Sequence, residues 1–225
     1  MKFSDKELLL FDFDGTLIDS VPDLALAVNH TLVSIDRPTF DEDIIRLWVG
    51  NGAQTLVKRA LSGDREIAKD IDEVLFEKAL GIFLEFYANN VCVNTTLYSG
   101  VKATLQELKK LGYRMSIVTN KPYDFIEPIL IGLDLENIFE LWIGADSLKL
   151  KKPNPEPLIY ICEKCDVDIE QSLMIGDSKN DILAAKAAKM DSVGVSYGYN
   201  YGEDIKEYKP EIVIDDIEEL VKILA

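Results

Sequence analysis

The chain has 225 residues, is 48% hydrophobic and carries a formal net charge of −16. This length suits one large domain or a core with a smaller domain, and the longest apolar runs fall well short of the roughly 18 residues of a membrane span. The acidic excess argues against a nucleic-acid partner, because phosphate backbones bind clustered lysine and arginine. We expect a cytoplasmic protein that binds neither membrane nor nucleic acid.

Short apolar runs alternate with helical patterns over most of the chain, which is typical of a parallel α/β sheet. The predicted strands are residues 7–13, 114–119, 141–145, 172–175, 192–196 and 211–214. The predicted helices between and after them are residues 101–111, 155–165, 179–190 and 217–224. The sequence therefore predicts an α/β fold with a doubly wound parallel-sheet core.

A long helical segment interrupts this alternation after the first strand. We predict helices at residues 22–33, 41–48, 53–61 and 64–87, the last broken once, and no strand among them. A block of about 70 residues is too long for an ordinary crossover and suits a lid. Because ligands of open α/β sheets bind at the carboxyl ends of strands, this lid would cover the site. We assign residues 1–18 and 94–225 to the core and 19–93 to a helical cap.

The first predicted strand runs into the sequence FDFDGT, which places Asp12 and Asp14 on the same side of the chain. Two carboxylates this close repel unless a cation separates them or one holds a proton. Such a pair can supply a metal-held nucleophile and a proton donor. An EF-hand loop is excluded because Gly15 follows Asp12 too soon. A lone DxD pair is more often a charged strand end before a turn, so the other strand ends must decide.

Three further polar segments are expected at the same edge of the sheet. Thr119 and Asn120 end one strand, and Lys152 comes directly before a proline-rich helix start, although Lys151 is an alternative. Another buried strand leads into a loop whose candidate residues are Gly176, Asp177, Ser178, Asn180 and Asp181. Acids, a hydroxyl, an amide and an ammonium at one edge together indicate an active site.

The four segments DFDGTLIDS, VTN, KKPNPEP and GDSKND, in this order, resemble the motifs of the haloacid dehalogenase-like hydrolases. The resemblance covers nearly the whole chain, and the helical insertion is similar to the type-one cap of that family. Residues 48–61, WVGNGAQTLVKRAL, together with TNKP, resemble its phosphoglycolate phosphatase branch. The resemblance implies a Rossmannoid core and a Mg²⁺-dependent phosphatase of small organic phosphates, above all 2-phosphoglycolate.

The resemblance also implies a role for each acid. Asp12 would attack phosphorus to form an aspartyl-phosphate, and Asp14 would protonate the leaving alkoxide and then activate water. Asp12, the backbone carbonyl of Asp14, and Asp177 would hold Mg²⁺, supported by Asp181. A dehalogenase would not need the second acid, so Asp14 favours phosphoryl chemistry.

The remaining motif residues would bind the phosphoryl group or shape the site. Thr119, the amide of Asn120 and Lys152 would hold the phosphoryl oxygens. Gly15 lets the chain leave the strand at little steric cost, and Thr16 is expected to hydrogen-bond to Asp14.

Substrate choice is expected to lie in the cap. Gly50, Asn51 and Gly52 precede a helix whose N–H groups could bind a carboxylate, although a plain interhelical turn has the same pattern. Arg59 and Lys58 are further candidates, although on a helix such side chains more often face solvent.

Other functions share some of these features. A phosphotransferase or mutase of the same family, acting on a sugar phosphate, has the same core motifs. A phospho-aspartate signalling receiver also combines acids, Mg²⁺, threonine and lysine, but it has no DxD pair on its first strand and no helical insertion. A protein of this fold that binds without turnover would not need both Asp12 and Asp14. We expect a monomer or a homodimer.

Overall fold

The computed structural model describes residues 3–224. Within that range the strands are β1 Leu8–Phe11, β2 Ile18–Asp19, β3 Thr96–Leu97, β4 Arg114–Val118, β5 Leu141–Ile143, β6 Ser172–Gly176, β7 Asp191–Val195 and β8 Ile212–Ile214. Six of them form a parallel sheet in the order β5-β4-β1-β6-β7-β8. Each predicted core strand is present, which confirms the α/β class.

Helices cover both faces of this sheet. In the described range they are α1 Val21–Ser34, α2 Glu42–Arg46, α3 Ala53–Ser62, α4 Glu73–Asn89, α5 Val101–Lys110, α6 Ile126–Gly132, α7 Glu156–Cys165, α8 Lys179–Ala188 and α9 Glu219–Leu224. Leu8 and Leu10 of β1 belong to one apolar core with α7 and α8, whereas Leu9 and Phe11 face α5, α6 and α9. The alternation along β1 therefore buries both faces, as a doubly wound sheet requires.

Three elements differ from the sequence prediction. The first strand ends at Phe11 because the Phe13 carbonyl accepts three backbone N–H groups of the following turn. The last cap helix begins only at Glu73, where the Asp72 carboxylate accepts hydrogen bonds from Val74 N and Leu75 N. Helix α6 was not predicted, and it follows a short 3₁₀ turn at Tyr123–Phe125.

The helical segment leaves and rejoins the core through a paired connection. Helices α1 to α4 pack against one another. Strands β2 and β3, on either side of the segment, pair antiparallel with Ile18 opposite Leu97. The two connections between the helical segment and the core are thus hydrogen-bonded to each other, which fixes the segment above the carboxyl edge of the sheet. No helix in residues 3–224 is long and apolar enough to span a membrane.

A buried carboxylate closes this connection. Asp23, in the first turn of α1, is fully buried. It accepts hydrogen bonds from the backbone N–H groups of Val93, Asn94 and Thr95 at 2.8–2.9 Å, and from the Thr95 hydroxyl at 2.7 Å. One side chain therefore accepts from three successive residues of the returning linker, and without it the N–H and hydroxyl of buried Thr95 would lack an acceptor.

Replacement of Asp23 by alanine is expected to lower the free energy of unfolding by about 2–4 kcal/mol, because the buried N–H and hydroxyl of Thr95 lose their acceptor. Urea denaturation of wild type and variant measures this difference. Asp70→Ala, at an exposed aspartate, is the control and should change stability by less than about 0.5 kcal/mol. A loss at Asp23 as small as that at Asp70 would contradict the assigned role.

Candidate active site

The candidate site lies where neighbouring parallel strands end. β1 is paired with β4 on one side and β6 on the other. Asp12 follows β1, Thr119 follows β4 and Asp177 follows β6. Because carboxyl ends of adjacent parallel strands meet at one edge, the topology brings these three side chains together.

Three buried carboxylates form the centre of the site. Oxygens of Asp12, Asp177 and Asp181 lie within 4.8 Å of one another. Burial, followed by repulsion from Asp181, raises the pKa of Asp177 to about 7, and the same two causes raise the pKa of Asp12 above its ordinary value. Carboxylate oxygens that are both buried and close together are suitable ligands for a divalent cation such as Mg²⁺.

Fixed donors hold two of the acids at this edge. Thr16 Oγ1 donates to Asp177 Oδ1 at 2.9 Å, and Tyr199 N donates to Asp177 Oδ2 at 2.7 Å. The expected hydrogen bond from Thr16 to Asp14 is therefore wrong, because the Thr16 hydroxyl is turned towards Asp177. Ser20 Oγ instead donates to Asp14 Oδ1 at 2.5 Å.

Glycines allow the acids to pack this closely. A Cβ at Gly15, where φ is +90°, would lie 2.4 Å from Asp177 Oδ2. A Cβ at Gly176 would lie 2.3 Å from Asp181 Cγ, and one at Gly198 would lie 2.1 Å from Asp177 Cβ. Gly198 was not predicted from sequence, because it reaches the site only through the loop after β7.

Lys152 lies among the acids and is 1% exposed. Its Nζ is 2.6 Å from Asp181 Oδ1 and 3.0 Å from Asp12 Oδ1. Burial would lower the pKa of Lys152, but Asp12 and Asp181 raise it above the usual value, so the ammonium is retained. Lys151 instead donates to the Asn51 carbonyl at 2.7 Å. Of the two lysines, Lys152 is the one that faces the acids.

Asp181 acts as an anchor for that lysine. Its second oxygen accepts hydrogen bonds from Ser178 N at 3.0 Å and Ser178 Oγ at 2.7 Å, which closes the capping box at the start of α8. Both oxygens of Asp181 are thus engaged by Lys152 and Ser178.

The strand end of β4 supplies a hydroxyl and an amide. Thr119 Oγ1 accepts a hydrogen bond from Lys121 N at 3.1 Å, and the hydroxyl keeps a proton to donate. The Asn120 side chain donates to the carbonyls of Gly50 and Lys152, both at 3.1 Å. Among residues 3–224 the Asn120 backbone N–H meets no acceptor, which leaves it available to an anion.

The cap loop before α3 is docked onto this edge through its carbonyls. The Gly50 carbonyl also accepts from Asn180 Nδ2 at 3.2 Å. A Cβ at Gly52, where φ is +85°, would lie 2.8 Å from the Asn120 carbonyl oxygen. Gly50, Asn51 and Gly52 therefore lie against the core, and core side chains donate to the carbonyls of Gly50 and Asn51.

The Arg59 side chain binds other groups of the protein itself. Its guanidinium donates to the carbonyls of Trp48 at 2.6 Å and Arg65 at 2.9 Å, and it lies 5.4 Å from the ring centroid of Tyr201. It is not among the described residues that line the cavity beside Asp14.

That cavity lies between the cap and the edge of the sheet. Its lining residues are Asp12, Asp14, Leu24, Val49, Gly50, Gly52, Ala53, Leu56, Phe83, Tyr87, Thr119, Asn120, Lys121, Pro122 and Phe125. Lys121, whose Nζ is 2.8 Å from Asp14 Oδ1, was given no role from sequence. The available signal was its position directly after the Thr119–Asn120 pair in TNKP.

Comparison with known proteins agrees with this geometry. The profile of the family described as haloacid dehalogenase-like hydrolase matches residues 9–195. A phosphoglycolate phosphatase of Colwellia psychrerythraea is 56% identical over 221 residues, which cover 98% of each chain. A phosphoglycolate phosphatase of Psychrobacter arcticus is 45% identical and covers 98% of this chain and 96% of that relative.

A solved structure shows the same architecture. The crystal structure of a predicted phosphoglycolate phosphatase from Haemophilus somnus 129PT superimposes with a TM-score of 0.90 at 38% identity, and covers 97% of this chain and 98% of that one. The chain belongs to the haloacid dehalogenase-like hydrolase family. The family match and the named relatives together identify the chain as a phosphoric monoester hydrolase.

Removal of one charge from the acidic cluster tests whether it is built for a cation. Asp177→Asn is expected to raise the melting temperature in EDTA by about 2–4 °C, because it relieves buried like-charge repulsion. The oxygen of the new amide can still accept from Tyr199 N, and the Thr16 hydroxyl can rotate to accept from the amide N–H. Mg²⁺ should stabilise wild type and not the variant in thermal denaturation.

Asp5→Asn, at an exposed aspartate, is the control and should respond to Mg²⁺ as wild type does. Equal stabilisation by Mg²⁺ in wild type and Asp177→Asn would show that the cluster is not the metal site.

Proposed function

We propose that the protein is a Mg²⁺-dependent phosphatase that hydrolyses 2-phosphoglycolate, a small organic phosphate monoester, through an aspartyl-phosphate on Asp12. The observation that carries the proposal is the position of Asp12, which contacts Lys152 and lies beside Asp177 at the carboxyl end of the central strand. The names of the relatives support the substrate. The cytoplasmic location and the monomeric or homodimeric state stay predictions from sequence.

Asp12 is oriented for attack on phosphorus. Its Oδ1 accepts from Phe13 N at 2.7 Å and lies 3.0 Å from Lys152 Nζ. These contacts fix the carboxylate and leave Oδ2 as the nucleophile. A carboxylate nucleophile divides a difficult displacement into formation and hydrolysis of an acyl phosphate.

The acidic residues fit a magnesium ion. Asp12, Asp177 and the backbone carbonyl of Asp14 would hold it, since buried oxygen ligands with unfavourable mutual repulsion are present there. When bound, Mg²⁺ would neutralise negative charge on the phosphoryl oxygens. Asp181 would support the site through Lys152.

The remaining groups divide between the phosphoryl oxygens and the leaving group. Thr119, the Asn120 N–H and Lys152 would bind the transferring oxygens, since each presents a donor at the strand edge. Asp14, held by Ser20 and Lys121, would protonate the leaving alkoxide and then take a proton from water. Thus Asp12 and Asp14 have separate tasks.

The helical segment 19–93 would act as the cap domain. It contributes Leu24, Leu56 and Phe83 to the cavity beside Asp14. Apolar walls exclude bulk water and strengthen the electrostatic interactions at the reacting phosphorus. The close fit of Gly52 on Asn120 joins the cap loop to the phosphoryl site.

Phosphate release from a panel of esters in Mg²⁺ tests the proposal. We expect 2-phosphoglycolate to have a higher kcat/KM than hexose phosphates and nucleoside monophosphates, because the cavity beside Asp14 is small. Asp12→Asn should lose activity by roughly 10⁴-fold or more, since the nucleophile is removed with little change of shape. Its melting temperature, measured alongside, should show that it remains folded.

The two parts of the proposal fail separately. Wild-type turnover in a folded Asp12→Asn protein would rule out the mechanism. A poor kcat/KM for 2-phosphoglycolate among active esters would rule out the substrate and leave the phosphatase class intact.

A further inference from the structure

A second buried ammonium lies on the leaving-group side of the site. The Lys121 side chain is 2% exposed, and its Nζ is 2.8 Å and 3.1 Å from the two oxygens of Asp14. Burial opposes the charge, but Asp14 raises the pKa of Lys121 above its ordinary value. A buried ion pair has a large desolvation cost and is weak evidence for a stabilising role, so another role must be sought.

Lys121 is placed differently from Lys152. Lys152 contacts Asp12 and Asp181, next to the position of the transferring phosphoryl group. Lys121 contacts Asp14, the group proposed to protonate the leaving oxygen. The positive charge of Lys121 therefore lies on the side of the leaving group and not beside the phosphoryl group that is transferred.

The cavity that Lys121 lines is small and otherwise apolar on the cap side. Its volume is only about 40 Å³. Leu24, Leu56 and Phe83 form the cap-side wall, and among the described lining residues Lys121 is the one cationic side chain. A two-carbon fragment with a negative charge suits this space better than a sugar or a nucleoside.

A hydroxyl without an acceptor lines the same cavity. Tyr87 is 1% exposed, and in the described chain its hydroxyl meets no hydrogen-bond acceptor, since the Lys121 ammonium beside it can only donate. The Lys121 ammonium lies 5.1 Å from the centroid of the Tyr87 ring. A buried donor without an acceptor is costly, which indicates that a bound molecule supplies the acceptor.

The chemistry of the leaving group can be deduced from the position of Asp14. The group that protonates an ester oxygen must lie within hydrogen-bond reach of it. A carboxylate carbon attached through one CH₂ lies only two bonds, each about 1.5 Å, from that oxygen. Such a carboxylate can therefore reach a cation that touches Asp14, whereas a charge farther along a longer chain would overshoot it.

We infer that Lys121, with the Tyr87 hydroxyl, binds a carboxylate on the leaving group and so selects α-phosphoryloxy carboxylic acids over phosphate esters whose leaving group carries no charge. The inference rests on the proposed function and assigns its substrate specificity to residues of the TNKP loop and α4. Arg59, one of the cap candidates from sequence, instead donates to two backbone carbonyls.

The test compares two esters of the same length, 2-phosphoglycolate and ethyl phosphate, which differ in a carboxylate against a methyl group. Initial rates of phosphate release in Mg²⁺ give kcat/KM for each, and the quantity of interest is their ratio. We expect wild type to favour 2-phosphoglycolate by roughly 10²-fold or more, because a site built around a charged contact rejects an analogue that lacks it.

The variants are Lys121→Met and Tyr87→Phe. Lys121→Met should lower the ratio by about 10- to 100-fold, the value of a lost charge-assisted contact. Tyr87→Phe removes a hydroxyl that has no acceptor in the described chain, so it should fold normally and lower the ratio by roughly 3- to 10-fold. Lys78→Met is the matched control, because this lysine of α4 is exposed and the change should leave the ratio as in wild type.

The outcomes separate the inference from the proposed function. A parallel loss of kcat/KM for both esters in Lys121→Met, with an unchanged ratio in Tyr87→Phe, would mean that Lys121 acts only through Asp14, and would overturn the inference alone. A wild-type enzyme with no preference for 2-phosphoglycolate over ethyl phosphate would overturn the proposed substrate as well. If Lys121→Met fails to fold, the ratio in Tyr87→Phe decides.

Discussion

The site depends on one interaction, the ion pairs of the Lys152 ammonium with Asp12 and Asp181. Against three buried carboxylates, this one ammonium leaves a net negative charge at the strand edge when all the groups are ionised. Such a charge cannot persist far from water without a further cation. The glycines against Asp177 and the capping box around Asp181 maintain this crowding. The sheet supplies the stable core that keeps the acids close despite their repulsion.

A second ion pair joins Asp14 to Lys121 and shares no residue with the ion pairs of Lys152. The two lysines are proposed to act on different parts of the substrate. In the proposed reaction the Lys152 pair would face the phosphoryl group, whereas the Asp14–Lys121 pair would lie beside the leaving group, in the cavity that it lines. The helical segment contributes the apolar walls of this cavity through α1, α3 and α4, and its loop before α3 also contacts Asn120. In this account, the residues at the strand ends carry out the reaction, and residues where the cap meets the loop after β4 select the substrate.

Much of this arrangement could be predicted from sequence, because alternating strand and helix patterns indicate parallel strands, and parallel strands place their carboxyl ends at one edge. The motif residues Asp12, Thr119 and Asp177 are therefore brought together by topology. Ser20 and Tyr199 could not be predicted, because their contacts depend on how distant loops fold onto the site. The predicted partner of Thr16 was wrong for the same reason: local spacing favoured Asp14, but tertiary packing presents Asp177.

The central claim is that Asp12 carries the phosphoryl group, and trapping it there is the most direct test. Acetyl phosphate is small, and its acetate leaving group needs no proton, so Asp14→Asn should still form the acyl phosphate but hydrolyse it slowly. Intact-mass spectrometry after quenching should find one phosphoryl group per chain, and peptide mapping should locate it on Asp12. No phosphoryl group on Asp12, or a group on another residue, would contradict the account.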